Sequence, residues 1–281
     1  DAQGVDEVIA FATAAVREAE DGAQFCAQVR EDVGLNIRVL SGADEARYAA
    51  TGVIAMQPDA SGVSGDLGGS SLELSLISGG YYTGGHTYGL GPLALQSIPV
   101  KTAGKAARSS AQLPAVSQEV RQYIVQEIAD AAEIQSQHET FYMVGGAWRA
   151  LARLYMDMNN YPLRVLQNFE VDAVDLIALT DKVAAPDKKM SARLDALSRR
   201  RAPTLPMAAA VLGEVLRQGG FKTVVTSSFG VREGLVYEEL DAATQGQDPL
   251  LAGLRAMIHV NPDGEKFGIA LAPWLAQAAQ A

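Results

Sequence analysis

The stretch Asp66-Leu67-Gly68-Gly69-Ser70-Ser71-Leu72-Glu73 concentrates groups suited to a phosphate and a cation. Asp66 closes one apolar run and Glu73 lies at the start of the next. Both offer hard oxygen ligands for Mg2+, which binds through a few carboxylates plus phosphate oxygens. Between them, Gly68 and Gly69 let backbone N–H groups approach an anion with no Cβ in the way. Ser70 and Ser71 add hydroxyl donors. A plain Gly-rich hairpin with exposed acids would read the same way, and the flanking carboxylates weigh against it.

Other candidates sit at element ends. Glu45 falls in the first turn of a helix expected after Ser41-Gly42-Ala43-Asp44. An acid there complements the helix dipole, and a general base beside a phosphate site would look alike. Arg17, near a strand-to-helix junction, suits a bidentate phosphate clamp or an i,i+4 pair with Asp21. Gly145-Gly146 ends a strand and opens a helix, either to offer free N–H groups to an anion or to pack closely. Ser227-Ser228-Phe229-Gly230 shares that geometry. Lys101, Lys105 and Arg108 form one basic stretch. Residues 182–201, with Lys182, Lys188, Lys189, Arg193, Arg199, Arg200 and Arg201, form another. They suit a polyanion or a solvated helix face. His86, His138, His259 and Cys26 show no metal-ligand spacing, and no G-x-S-x-G, H-E-x-x-H or Walker A motif occurs. Trp148 reads as core.

The chain has 281 residues, room for one or two domains. Asp and Glu number 33 against 23 Lys and Arg, a net charge of -10 that argues against a nucleic-acid partner. With 48% hydrophobic and 20% charged residues, disorder and fibrous repeats are excluded. The single cysteine rules out a disulfide framework and a Cys-rich zinc site, and points to a reducing compartment, expected to be the cytoplasm. No apolar run reaches the length of a membrane helix. The opening Asp1-Ala2-Gln3-Gly4 lacks the basic and apolar regions of a secretory signal.

These residues need elements to hold them. An apolar run predicts a buried strand over residues 8–12, then helix over 13–19 and 25–33, and a strand over 36–40. The capping-box pattern at Ser41 starts a helix with Ala46, Ala49, Ala50, Val53 and Ile54 on one buried stripe. A turn cluster at residues 58–62 marks a boundary. Strands follow over 63–66 and 71–78, with a hairpin through Ser78-Gly79-Gly80 into 81–89. Helices are expected over 116–132, 147–156 and 206–218, and mostly helix over 171–197, broken near Pro186. Strands are expected over 141–144 and 224–226, and a helical tail reaches His259. The alternation argues for an α/β fold.

Five segments in this order resemble the exopolyphosphatase/guanosine pentaphosphate phosphatase (Ppx/GppA) family. They are residues 12–19, 40–48, 65–74, 144–152 and 228–235. The resemblance implies an actin-like ATPase (ribonuclease H-like) fold, in which two α/β domains close on a phosphate chain. Residues 1–60 would be the back part of the first domain, 61–245 the second, and 246–281 the start of a helical region. The family's opening strand and Asp-x-Gly-Ser-Asn-Ser phosphate loop find no match, so the chain is expected to be poorly active by itself. The implied reaction is hydrolysis of a terminal phosphate of polyphosphate or the 5′ γ-phosphate of guanosine pentaphosphate. By the same resemblance Glu45 is the general base and Arg17 lies near the terminal phosphate. Asp66 and Glu73 hold Mg2+ or another divalent cation. Gly68, Gly69, Ser70 and Ser71 form the second phosphate loop, and Gly145 and Gly146 line the cleft. Members are often dimers, so a homodimer is expected. Two departures stand out: Ser70 replaces a third glycine, and Ala147 replaces the usual threonine. They motivate an alternative, a non-catalytic phosphate-binding or regulatory module of the same fold. An ATP-using kinase relative is a third reading.

Overall fold

The structure is a computed structural model describing residues 7–98, 112–249 and 251–253. The chain begins with β1 (Phe11–Ala12), α1 (Ala14–Arg17), α2 (Gly22–Val33), β2 (Arg38–Val39) and α3 (Gly42–Met56). A meander of β3 (Gly62–Leu67), β4 (Leu72–Ser78) and β5 (Tyr81–Tyr88) leads to α4 (Pro92–Gln96) and α5 (Gln118–Glu127). Next come β6 (Thr140–Val144), α6 (Gly146–Met158), β7 (Phe169–Asp172), α7 (Ala173–Ala184) and α8 (Lys188–Ser198). The series closes with α9 (Leu205–Gly219), β8 (Thr223–Thr226) and α10 (Val231–Glu239). The chain divides into two compact units, residues 1–235 and 236–281. In the second, Asp241 caps a one-turn helix, Ala242–Gln245.

In the first unit, six strands form one sheet in the order β5-β4-β3-β6-β8-β7. β3, β6 and β8 run parallel, while β4, β5 and β7 are antiparallel to their neighbours. β1 and β2 make a separate parallel pair. Side-chain alternation splits the apolar residues between two faces. Val63, Leu72, Leu74, Phe141, Met143 and Val224 join the main core with residues of α5, α6, α7 and α9. Ile77, Tyr142, Val144 and Val225 face the other way, onto Ala50, Val53 and Ile54 of α3.

α3 covers that second face because its expected stripe is buried in full: Ala46, Ala49, Ala50, Val53 and Ile54. Its start is fixed by Ser41, whose hydroxyl accepts from the Asp44 amide at 3.1 Å while the Asp44 carboxylate accepts from the Ser41 amide at 3.2 Å. α10 crosses α3 closely. A Cβ on Gly234 would stand 1.9 Å from the Tyr48 carbonyl oxygen, so only glycine lets the two helices meet.

Three expectations are corrected. Residues 8–12 do not make a full buried strand: β1 is two residues long, and Val8 and Ile9 are exposed. Residues 171–172 are strand, not helix. In β7 Phe169 and Val171 are buried while Glu170 and Asp172 are exposed, a period of two too short to stand out beside the α7 pattern. The helix expected over 116–132 spans only Gln118–Glu127, capped by Ser117. Lys101, Lys105, Arg108 and His259 lie outside the described residues.

Candidate active site

Sheet register builds the centre of the site. Asp66 pairs directly with Glu73 across β3 and β4, so both side chains stand on one face, about 5 Å apart at Cβ. Alternation from Leu72 and Leu74, which enter the main core, turns Glu73 and Ser75 toward α3. The Ser75 hydroxyl donates to the Ala46 carbonyl at 2.9 Å, pinning the first turns of α3 over this face. Glu45, one residue earlier on α3, is therefore brought to the carboxylate pair.

Arg17 completes the group. Its Nη1 donates to Glu45 Oε1 and, at 2.7 Å, to the Leu40 carbonyl oxygen. The i,i+4 pair with Asp21 is not formed; Arg17 lies instead 3.6 Å from Glu18. Glu45 is buried at 6% exposure, and burial raises its carboxyl above the ordinary range while Arg17 pulls it down.

Burial raises the other two carboxyls further. Asp66 is pushed to about 6 by burial, with Arg149 opposing and Glu45 and Glu233 adding to the shift. Glu73, 3% exposed, is pushed to about 8 by burial; a Ser71 hydrogen bond opposes, and Asp66 and Glu45 add. Glu73 Oε1 is buried without any hydrogen-bond partner. An orphaned carboxylate oxygen beside a second carboxylate fits a hard divalent cation. No cluster of three or more His, Cys, Asp or Glu that could hold a metal occurs among the described residues. Mg2+ held by one or two carboxylates plus substrate oxygens does not require one.

The glycine turns frame an open cleft. Gly145 has φ +99°, and a Cβ on it would meet the Leu67 carbonyl oxygen at 2.7 Å and Asp66 Oδ1 at 2.9 Å. The turn into α6 thus lies directly against the end of β3. A cleft of about 230 Å3 opens there, with Asp66, Gly145, Gly146, Arg149, Ser228 and Glu233 in its walls. Glu233 accepts from the Gly230 amide at 2.9 Å, holding the loop after β8 in place. The Arg201 guanidinium lies over Gly146, its Nη2 2.9 Å from where a Cβ would stand.

The structure thus brings Arg17, Glu45, Asp66 and Glu73 together and sets Gly145 and Gly146 beside Asp66. Gly68, Gly69, Ser70 and Ser71 form the β3–β4 turn, outside the walls of the cleft. The Gly68 amide closes the turn onto the Ser71 carbonyl at 2.9 Å. Among the described residues the Gly69 and Ser70 amides have no acceptor, as an anion cradle requires. Ser71 is buried, its side chain beside Glu73. Trp148 is core, fully buried with Nε1 donating to the Ala208 carbonyl at 2.9 Å. Sequence reasoning missed Arg149 and Glu233. The signal for Arg149 was its place in the turn of helix that follows Gly145-Gly146.

A model of the Ppx/GppA phosphatase family matches residues 1–243. The chain belongs to the Ppx/GppA phosphatase family. Exopolyphosphatase 1 of Mycobacterium leprae is 29% identical over 252 residues, which cover 86% of this chain and 71% of that protein. Retrograde regulation protein 2 of Saccharomyces cerevisiae is 26% identical over 90% of this chain and 45% of its own length. The crystal structure of an exopolyphosphatase from Cytophaga hutchinsonii superposes with a TM-score of 0.71 at 18% identity, covering 88% of this chain and 78% of that one. The Aquifex aeolicus Ppx/GppA family member gives 0.67 at 21% identity, over 88% and 77%. The fold is the actin-like ATPase fold of these Ppx/GppA proteins. No helix among the described residues is long and apolar enough to cross a membrane.

Proposed function

We propose that this Ppx/GppA phosphatase hydrolyses the terminal phosphoanhydride bond of inorganic polyphosphate. The observation that carries the reading is the meeting of Glu45 and Arg17 with the opposed carboxylates Asp66 and Glu73 on one sheet face. The similarity to exopolyphosphatases supports polyphosphate as substrate. The 5′ γ-phosphate of guanosine pentaphosphate is the second substrate of the same chemistry.

Glu45 takes a proton from the attacking water. The new P–O bond forms at the terminal phosphorus as the bond to the bridging oxygen breaks, releasing orthophosphate and a chain one unit shorter. Arg17 neutralises charge on the transferred group, and the amides of Gly69 and Ser70 cradle it. Asp66 and Glu73 would hold a divalent cation, whose charge offsets that of the phosphates. Most of the rate comes from positioning and charge compensation. Work in the cytoplasm as a homodimer is part of this proposal.

The departures at Ser70 and Ala147 favour a second reading, phosphate-chain binding without turnover. Orthophosphate release by the full-length protein from polyphosphate and from guanosine pentaphosphate, with Mg2+, separates the two. Release from either supports hydrolysis. Saturable binding of polyphosphate with no release from either substrate selects the binding module.

A further inference from the structure

Arg149 is a half-buried cation with unspent charge. It leaves the first turns of α6, which begins on the Gly145-Gly146 turn, and its side chain lines the 230 Å3 cleft beside Asp66. Its Nη1 donates to the Ser228 carbonyl oxygen at 2.7 Å. That bond anchors the guanidinium without neutralising it, because a carbonyl carries no formal charge. Among the described residues no carboxylate lies within ion-pair distance of Arg149, although the field of Arg149 reaches Asp66. The second arginine of the wall, Arg232, is already 3.6 Å from Glu233. A guanidinium has five N–H donors, and this one spends a single one on protein. A fixed fork of unused donors in an open cleft matches phosphate oxygens.

We propose that Arg149 is a substrate-binding residue that takes a non-terminal phosphoryl group of a phosphoanhydride chain. The assignment rests on the phosphohydrolase reading above. Neither Glu45 nor Arg17 is in the wall of this cleft, whereas Asp66 belongs both to it and to the carboxylate group. The reacting phosphate therefore lies on the Glu45 side of Asp66, and the chain behind it runs along Arg149. Inorganic polyphosphate and a nucleoside 5′-triphosphate group share this chemistry.

The test compares full-length wild-type protein with Arg149→Gln and Arg149→Lys on inorganic tripolyphosphate and guanosine pentaphosphate, alongside thermal melting. Arg149→Gln is expected to raise KM about ten- to hundredfold on both substrates, the worth of charge-assisted hydrogen bonds. kcat changes less, and Tm does not explain the loss. Arg149→Lys recovers part of the affinity. An unchanged KM, or losses that follow Tm, would make Arg149 a brace for Ser228 and overturn the proposal. A KM change confined to guanosine pentaphosphate overturns it too, by placing the nucleoside at Arg149. Should Arg149→Gln fail to fold, equilibrium binding of tripolyphosphate to Arg149→Lys decides: several-fold weaker binding supports, wild-type affinity overturns. A wild-type protein that binds and hydrolyses normally beside a neutral Arg149→Gln sinks this assignment alone. A wild type that does neither sinks the phosphohydrolase reading and this assignment with it.

Discussion

Asp66 and Glu73 stand directly opposite each other on β3 and β4, two carboxyl groups paired on the α3-covered face of the sheet. Burial dominates both, so each holds its proton more tightly than in water, Asp66 to about 6 and Glu73 to about 8. The pair is costly for the cation-free protein and becomes useful when a positive charge joins it.

That cost has a sign. A carboxyl whose folded pKa exceeds its unfolded value binds more protons when folded, so its contribution to stability falls as pH rises. For Glu73 the window runs from about 4.5 to about 8. Glu73→Gln is expected to be more stable than wild type at pH 8, by more than the roughly 1.4 kcal/mol of one pKa unit, and to melt at a higher temperature. The advantage should vanish near pH 4. Mg2+ should raise the wild-type Tm at pH 8 and leave Glu73→Gln little changed. Melting curves across pH, with and without the cation, check both statements.

Gly145→Ala tests the turn. A Cβ there combines a positive φ with a 2.7 Å approach to the Leu67 carbonyl. The variant should lose about 1–3 kcal/mol in denaturant titration and lower activity by displacing the α6 start from Asp66. Wild-type stability would show that the turn relaxes freely.

The sequence carried the strands, the capping box and the Gly turns because local chemistry specifies them. Ser41 with Asp44 spells the start of α3, and alternation spells β3 and β4. β7 was hidden because four residues of alternation run directly into α7. At the site, spacing showed Asp66 and Glu73 as neighbours across a turn. The Arg17–Glu45 contact, 28 residues apart, and the Arg149–Ser228 contact, 79 apart, depend on how helices cross the sheet. No local pattern encodes those crossings.

Arg17 lowers the Glu45 carboxyl against the upward push of burial. With Mg2+ saturating, so that Asp66 and Glu73 stay ionised, Arg17→Gln should therefore move the acid limb of the kcat–pH profile upward, as Glu45 keeps its proton to higher pH. It should also reduce kcat by tenfold or more, the order of one charge-stabilising group. An unmoved acid limb would separate Glu45 from the titrating group.

Away from the site, Glu133 is 1% exposed and bonds His86 Nδ1 at 2.7 Å and the Tyr88 hydroxyl at 3.2 Å. Glu133→Ala strips the partner from the Tyr88 hydroxyl. It should destabilise the fold by about 1–3 kcal/mol with KM unchanged. A changed KM would tie this cluster to the substrate.

Glu45 is the proposed base of a phosphohydrolase. Orthophosphate release from polyphosphate by full-length wild type and Glu45→Gln, read beside polyphosphate binding, tests this role most directly. At least about a hundredfold loss of release is expected, with binding retained. Undiminished release by Glu45→Gln would contradict it.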